Sequence, residues 1–337
     1  MNWSTTSLAA LHTFALPAQA TRYLELHTFE DIENLVMSSP DWNSIRILGG
    51  GSNTVFLEDQ SMPIVRMCIK GRAVLEQDES SALVRAAAGE NWDEFVAWSL
   101  EQGLFGLENL SLIPGTVGAC PIQNIGAYGV EVCQCIETVD VFDPNNPTKG
   151  IQSIPMSECS FGYRDSKFKY EWSHLLITSV TFRLKKTFEP VLNYAGLTAS
   201  ASAKALRDEV IRLRQAKLPD PAKIPNAGSF FKNPVISKSQ FQILKDKHPE
   251  IPSFAAGDQI KVPAAWLLDQ CGFKGQWHHE FGCYEKQPLV MIHNPDQENP
   301  IGVKKKHFLE WLSIIQDKVE HHFGILLLPE PDLVFTY

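Results

Sequence analysis

The sequence predicts an α+β protein built from more than one domain, and three observations carry this. Apolar residues alternate with polar ones over short runs, most clearly at 176–184, as half-buried strands do. Two longer segments, 203–218 and 304–323, space their apolar residues as amphipathic helices do. At 337 residues the chain is long enough for two or three domains, and Pro219, Pro221 and Pro225 crowd a short stretch that reads as a linker.

Taken in order, Thr28 with Asp31 three residues later opens a helix whose apolar face is Ile32, Leu35 and Val36. A strand beginning at Ile45 then runs into three glycines, and 55–57 and 64–69 read as further short strands. Residues 1–70 form a small α/β lobe on this reading. A strand at 82–88 ends at Gly89. Asn91 and Glu94 then make a capping box for a helix with Trp92, Phe95, Val96 and Leu100 inward, closed by Gly103. A strand at 136–142 meets a DPNNP turn, and the strand at 176–184 follows. The helix at 203–218 buries Leu206, Val210 and Leu213, and Pro219 stops it. Beyond the prolines, helices are expected at 262–270 and near 304–323. The second buries Phe308, Leu312, Ile315 and Val319 and ends at Gly324. Residues 325–328 read as a buried strand.

Composition narrows the function. A net charge of −9, spread along the chain, argues against nucleic-acid binding. Seven cysteines at irregular spacing do not suit a disulfide framework. Cys133 and Cys135 lack a second pair to complete a zinc site, so no metal is expected. The first residues carry no basic segment ahead of an apolar one, and no apolar run approaches the ~18 residues of a membrane helix. A cytoplasmic protein without a membrane partner is the expectation.

Two glycine-rich stretches are the candidates for ligand binding. Ile45 to Asn53 reads IRILGGGSN, a strand followed by exposed backbone donors in Gly49, Gly50, Gly51, Ser52 and Asn53. Such a turn suits a pyrophosphate. It lacks the spacing of the dinucleotide fingerprint and the Lys-Ser/Thr of a triphosphate loop. The second stretch, GLENLSLIPGTVGACPIQNIGAYGV from Gly106 to Val130, has neither helical nor strand periodicity. Long glycine-rich loops in compact domains are functional or disordered. Ile113, Val117, Ile122 and Ile125 are too apolar for disorder. An ordered loop wrapped on a large ligand and a buried crossover held by its own amides are the two readings.

Together, LGGGSNTVF and SLIPGTVGACPIQNIGAYGVE resemble the UDP-N-acetylenolpyruvoylglucosamine reductase family. The resemblance continues through FGYRDSKFK (161–169), RQAKLPDP (214–221), NAGSFFKNP (226–234) and LPEP (328–331), so it covers nearly the whole chain in order. It implies a two-lobed FAD-binding unit of the vanillyl-alcohol-oxidase type plus an α/β substrate-binding domain. The implied division is 1–70 and 71–218 for the two lobes, with 325–337 returning to the second, and 219–324 for substrate. It implies FAD as cofactor and NADPH as reductant. The implied substrate is UDP-N-acetylglucosamine enolpyruvate, reduced to UDP-N-acetylmuramate by a chain expected to act as a monomer. Another oxidoreductase of the same flavin fold, or a non-catalytic flavin or nucleotide-sugar binder, is the alternative. Neither would need both YRDS and NAGSFFKNP.

Residue by residue, the resemblance assigns FAD contacts to Gly49, Gly50, Gly51, Ser52, Asn53, Ser111, Pro114, Gly115, Gly118, Ala119, Gln123, Asn124 and Gly126. Arg164 would stabilise charge on the substrate carboxylate, where spacing alone suggests a salt bridge with Asp165. Ser229 would protonate carbon, where spacing alone suggests a tight turn. A hydrolase nucleophile is a poor fit, because no GxSxG elbow surrounds Ser229. Glu330 would be the third catalytic group, although Asp332 stands where the family generally has a basic residue. Substrate contacts fall to Tyr163, Tyr194, Arg214, Lys217 and Asn233, with Tyr194 on the mobile loop of the family's first type. The pairs His278–His279 and His321–His322 are read as packing or surface, since adjacent histidines cannot share one helix face.

Overall fold

The computed structural model describes residues 2–38, 42–194, 196–198 and 200–335. The chain divides into two compact units. The first comprises Met1–Thr6, Ala20–Gly51 and Gln60–Ala216, and the second Ser7–Gln19, Ser52–Asp59 and Lys217–Tyr337.

The first unit holds two sheets. In one, Gln19–Leu26, Ile64–Met67 and Arg46–Leu48 pair in parallel, with Tyr23 opposite Ile64 and Arg46 opposite the same residue. Parallel pairing needs a crossover, and helix α1 (Phe29–Ser38) supplies one, burying Ile32 and Leu35. The expected cap is present: the Asp31 carboxylate accepts from the backbone N–H of His27 and Thr28, and Thr28 Oγ1 accepts from Asp31 N–H. The other sheet is antiparallel, in the order Ile151–Pro155, Ile136–Phe142, Leu176–Lys185, Ser81–Ala87, Arg72–Gln77. Helix α2 (Trp92–Glu101) shows half of the expected capping box: the Asn91 side chain accepts from Glu94 N–H at 3.0 Å, while the Glu94 carboxylate lies 3.5 Å from Arg72 Nη2. Such a cap is typically worth about 1 kcal/mol. Its buried face is Trp92, Phe95, Val96 and Ser99, whereas Leu100 is only half-buried. Helix α3 (Ala203–Lys217) closes this unit, burying Leu206 and Val210.

In the second unit, helices α4 (Lys238–Lys247), α5 (Ala264–Gln270) and α6 (Ile301–Phe323) accompany an antiparallel sheet of Asn226–Ser229, Val290–His293, Phe281–Cys283 and Trp277–His278. The α6 face is Phe308, Leu312, Ile315 and Val319, and Gly324 ends it in the left-handed conformation, φ 66°. Helix α4 was not expected, yet its capping box, Ser237 with Gln240, is plain in the sequence. Residues 325–328 are not a strand. Ile325 and Leu327 are buried while Leu326 and Leu328 face solvent, and the strand comes later, at Asp332–Val334. That strand pairs in parallel with Thr54–Phe56 of the same unit, where the sequence reading returned 325–337 to the second lobe.

A buried polar chain runs beneath α6. Lys304 Nζ donates to Gln297 O at 2.7 Å and lies 3.0 Å from His293 Nε2. His293 Nδ1 is 3.1 Å from Phe14 O, which can only accept, so Nδ1 carries the proton and Nε2 accepts from the ammonium. Burial first, then the Lys304 charge, depresses the His293 pKa to about 4, with Glu280 opposing and His12 adding. The unfolded chain therefore takes up a proton near pH 6.5 that the folded chain refuses until about pH 4. Stability is complete above that window and falls through it, by at most about 3 kcal/mol. Urea unfolding of wild type between neutral pH and about pH 4 should show this loss. His293→Gln should flatten the slope by up to one proton, and an unchanged slope would assign the loss to other groups.

Candidate functional site

The two glycine-rich stretches meet within the first unit. Strand Arg46–Leu48 delivers Gly49 and Gly50 against the loop: a Cβ on Gly50 would stand 2.7 Å from Gly115 Cα, and one on Gly49 would stand 2.8 Å from Thr116 Oγ1. Gly118 is pressed against the other sheet. Its N–H donates to Ala88 O at 2.9 Å, and a Cβ there would lie 2.5 Å from Ala88 Cβ. Gly50 and Gly118 thus pack closely against backbone, which only a missing side chain permits, and Gly49 leaves room for the Thr116 hydroxyl. Around them lies a cavity of about 410 Å³ lined by Gly49, Thr116, Gly118 and Ala119, with Arg46 and His174 among the polar lining. Thr116 Oγ1 is buried with no hydrogen-bond partner among the described residues. Buried hydroxyls are ordinarily paired, so this atom marks a place where a ligand can complete the bonding. Thr116, Arg46 and His174 were not singled out in the sequence. Thr116 sits in plain view between the two loop glycines, whereas the other two come from a strand and a turn with no local signature.

Other expected residues serve the loop itself. Ser111 is fully buried and its hydroxyl donates to Glu108 O at 2.6 Å. Asn124, at φ 46°, donates to Glu131 Oε2 and Gly162 O and accepts from Cys133 N–H. Gly115 O accepts from Trp92 N–H, and Gly126 pairs with Glu131. Pro114 is exposed and Gln123 half-buried. Gly51 ends the Ala20–Gly51 segment of the first unit, and Ser52 and Asn53 begin a segment of the second.

The YRDS motif docks on the same loop. Gly162 and Asp165 bond each other's backbone, leaving Tyr163 and Arg164 at the tip, with Arg164 at φ 52°. Ser166 Oγ donates to Ile122 O at 2.6 Å, and Arg164 Nη2 donates to Gly126 O at 2.8 Å. A left-handed non-glycine residue is strained, and such strain clusters at functional sites. Nearby in charge terms is Arg214 of α3, whose pKa burial lowers, with Tyr128 and Asp93 opposing and Arg164 adding. Asp93 is itself clamped by Arg207 at 2.6 and 2.9 Å. Tyr194 stacks edge-on against Tyr128, centroids 4.8 Å apart, although Ala195 beside it lies outside the described residues. Arg164 and Arg214, with Tyr128 and Tyr194, suit an anionic, partly aromatic ligand.

In the second unit the structure brings Ser229 and Glu330 onto adjacent backbones. Ser229 ends the strand Asn226–Ser229, after Gly228 at φ 66°. The next residue, Phe230, accepts from Glu330 N–H at 2.8 Å, and Phe231 bridges to Pro329. Lys232 N–H donates to Leu328 O. Asn53 holds the far side: its Nδ2 donates to Glu330 O at 3.3 Å and its carbonyl accepts from Asp332 N–H. Asn233 Oδ1 accepts from Ala264 N–H, capping α5. Lys217, at the end of α3, is exposed.

Residues 21–147 match the FAD binding domain family, and residues 220–334 match the family described as UDP-N-acetylenolpyruvoylglucosamine reductase, C-terminal domain. A UDP-N-acetylenolpyruvoylglucosamine reductase of Azoarcus sp. (strain BH72) is 42% identical over 97% of this chain and 96% of its own. The same-named protein of Pseudoalteromonas atlantica is 44% identical, covering 97% and 93%. The crystal structure of UDP-N-acetylenolpyruvylglucosamine reductase from Thermus caldophilus superposes with a TM-score of 0.65 at 22% identity, covering 99% of each chain, and establishes the fold. The first-unit cavity fits a flavin: the unpartnered Thr116 hydroxyl and the bare backbone of Gly49 and Gly118 line it. No helix among the described residues is long and apolar enough to cross a membrane. Carrying an FAD-binding domain, that C-terminal domain and identity above two-fifths along nearly its whole length, this chain belongs to the UDP-N-acetylenolpyruvoylglucosamine reductase family of FAD-dependent oxidoreductases.

Proposed function

We propose that this protein reduces UDP-N-acetylglucosamine enolpyruvate to UDP-N-acetylmuramate with NADPH as reductant, making a peptidoglycan precursor in the cytoplasm as a monomer. The observation that carries the reading is the cross-bridge between the NAGSFFKNP strand and the LPEP segment, which sets Ser229 and Glu330 on neighbouring backbones. In the proposed division, 1–70 and 71–218 hold FAD and 219–324 holds the sugar nucleotide.

Bound FAD supplies the hydride relay between NADPH and the carbon–carbon double bond. Gly49, Gly50, Gly51, Ser52, Asn53, Thr116, Gly118 and Ala119 would hold it, with Ser111, Pro114, Gly115, Gln123, Asn124 and Gly126 shaping the loop. Addition of hydride to the enolpyruvyl β-carbon leaves negative charge that spreads into the carboxylate. Arg164, always protonated and fork-shaped, stabilises that charge, and Glu330 is the third catalytic group. Ser229 gives its hydroxyl proton to the α-carbon. An alcohol is a weak acid, but a carbanion is basic enough to take its proton. Tyr163, Tyr194, Arg214, Lys217 and Asn233 orient the substrate, the cations serving its diphosphate.

The test is substrate-dependent NADPH oxidation that yields the lactyl ether, identified by a mass gain of two hydrogens. Oxidation of NADPH without that product would remove the reading. Lys217→Ala should raise the substrate KM with little loss of kcat, the pattern of lost uniform binding. A large loss of kcat at unchanged KM would put Lys217 in the chemistry instead.

A further inference from the structure

We propose that His278, His279 and Glu310 of the second unit bind a divalent first-row transition ion, with Zn²⁺ the natural probe. The two histidines lie not on a helix but at a hairpin. Trp277–His278 pairs antiparallel with Phe281–Cys283, His278 opposite Phe281, and His279 takes φ 52° in the turn. Along a strand, successive side chains point to opposite faces. The left-handed residue breaks that alternation and brings the two rings to 4.5 Å between centroids. Such a conformation is uncommon outside glycine and costs on the order of 1 kcal/mol or more. Helix α6 supplies the third group: Glu310 Oε2 is 3.3 Å from His278 Nε2. One ligating atom from each of the three residues lies within 4.8 Å of the others. Tetrahedral zinc spaces its ligand atoms about 3.4 Å apart, so side-chain rotations on the order of an ångström close the site.

Packing already fixes the two rings. His307 stacks on His279 at 3.8 Å and 13°, and the Glu280 carboxylate holds His307 through Nδ1 at 2.8 Å. His278 lies parallel to Trp311, 10° apart in plane at 5.9 Å. These ring contacts limit how far either imidazole can turn, so less freedom is lost when an ion binds. Lys306 sits 3.8 Å from Glu310 Oε1, leaving the other oxygen turned to the imidazole. Two imidazoles and one carboxylate favour Zn²⁺, Co²⁺, Ni²⁺ or Cu²⁺, whereas Mg²⁺ and Ca²⁺ prefer oxygen throughout. The bland alternative is a His278–Glu310 ion pair beside stacked rings, binding no metal.

Isothermal titration of untagged, FAD-loaded full-length protein with ZnCl₂ near neutral pH separates the two. One ion per chain is expected, with affinity at least about tenfold weaker in His279→Ala and in Glu310→Gln. Co²⁺ should give visible d–d bands in wild type that both variants lose. Flavin absorbance and melting temperature show that each variant is folded, and Mg²⁺ should give no heat of binding. Absence of Zn²⁺ binding to wild type would overturn the proposal. So would affinity that survives in both folded variants, which places the ion elsewhere on the surface.

Discussion

Replacing Ser229 with alanine is expected to leave flavin binding and reduction by NADPH near normal, while reoxidation by the enolpyruvyl sugar slows about 100- to 10,000-fold. The asymmetry follows from the chemistry, because no proton need reach substrate carbon until the double bond is reduced. The geometry makes the variant a clean test. Ser229 is exposed at a strand end opposite Val290, so alanine removes a hydroxyl without opening a cavity. Gly228 before it keeps the left-handed turn, and the Phe230–Glu330 bond after it is made by backbone alone. Stopped-flow absorbance times the two halves separately. Near-wild-type reoxidation by substrate would end the proton-donor role, and equal slowing of both halves would make Ser229 structural.

Gly118→Val should lose both flavin and stability. A Cβ at that position meets Ala88 Cβ at 2.5 Å, Ala88 Cα at 3.0 Å and Ala88 O at 3.1 Å. Two of these are backbone atoms and cannot swing aside, and the Gly118 N–H to Ala88 O bond would part as the loop backed away. Overpacking of this kind typically costs about 1–3 kcal/mol. The displaced segment lines the cavity through Thr116 and Ala119, so cofactor affinity falls with it. Gly50→Val should act alike, against Gly115. Gly302→Ala in α6 is the control: nothing lies within 4 Å of its added methyl, and the change should be neutral or slightly stabilising. Thermal melts and the flavin-to-protein absorbance ratio read both effects. A Gly118 variant with full flavin and an unchanged melting temperature would contradict the packing account.

The comparison of glycines shows what was legible in the sequence. That Gly50 and Gly118 must lack side chains could be read from the two loops. Their immediate neighbours could not, since Gly115 and Ala88 are brought there by tertiary packing. Local signals survived well: Thr28 with Asp31 and Asn91 with Glu94 cap the helices they announced. Helix α4 carries its own signal in Ser237 and Gln240, but Leu244 is its only buried residue, so no apolar stripe marks it. The apolar run at 325–328 looked like a strand because alternate burial and strand pairing leave the same pattern. Leu328 O in fact accepts from Lys232 N–H and Leu327 O from Gln316 Nε2, without a continuous ladder. The adjacency of Ser229 and Glu330 joins residues a hundred positions apart and has no trace in either segment alone. The same holds for Glu310 and the histidine pair, where a helical assumption hid a hairpin.

The most direct test of the account is one anaerobic titration. Purified protein should be yellow, and NADPH should bleach its flavin absorbance in the absence of oxygen. Addition of UDP-N-acetylglucosamine enolpyruvate should then restore the oxidised spectrum, in one-to-one proportion to flavin, with UDP-N-acetylmuramate as the product. Flavin that NADPH bleaches and the enolpyruvyl sugar cannot restore would contradict the proposed reaction.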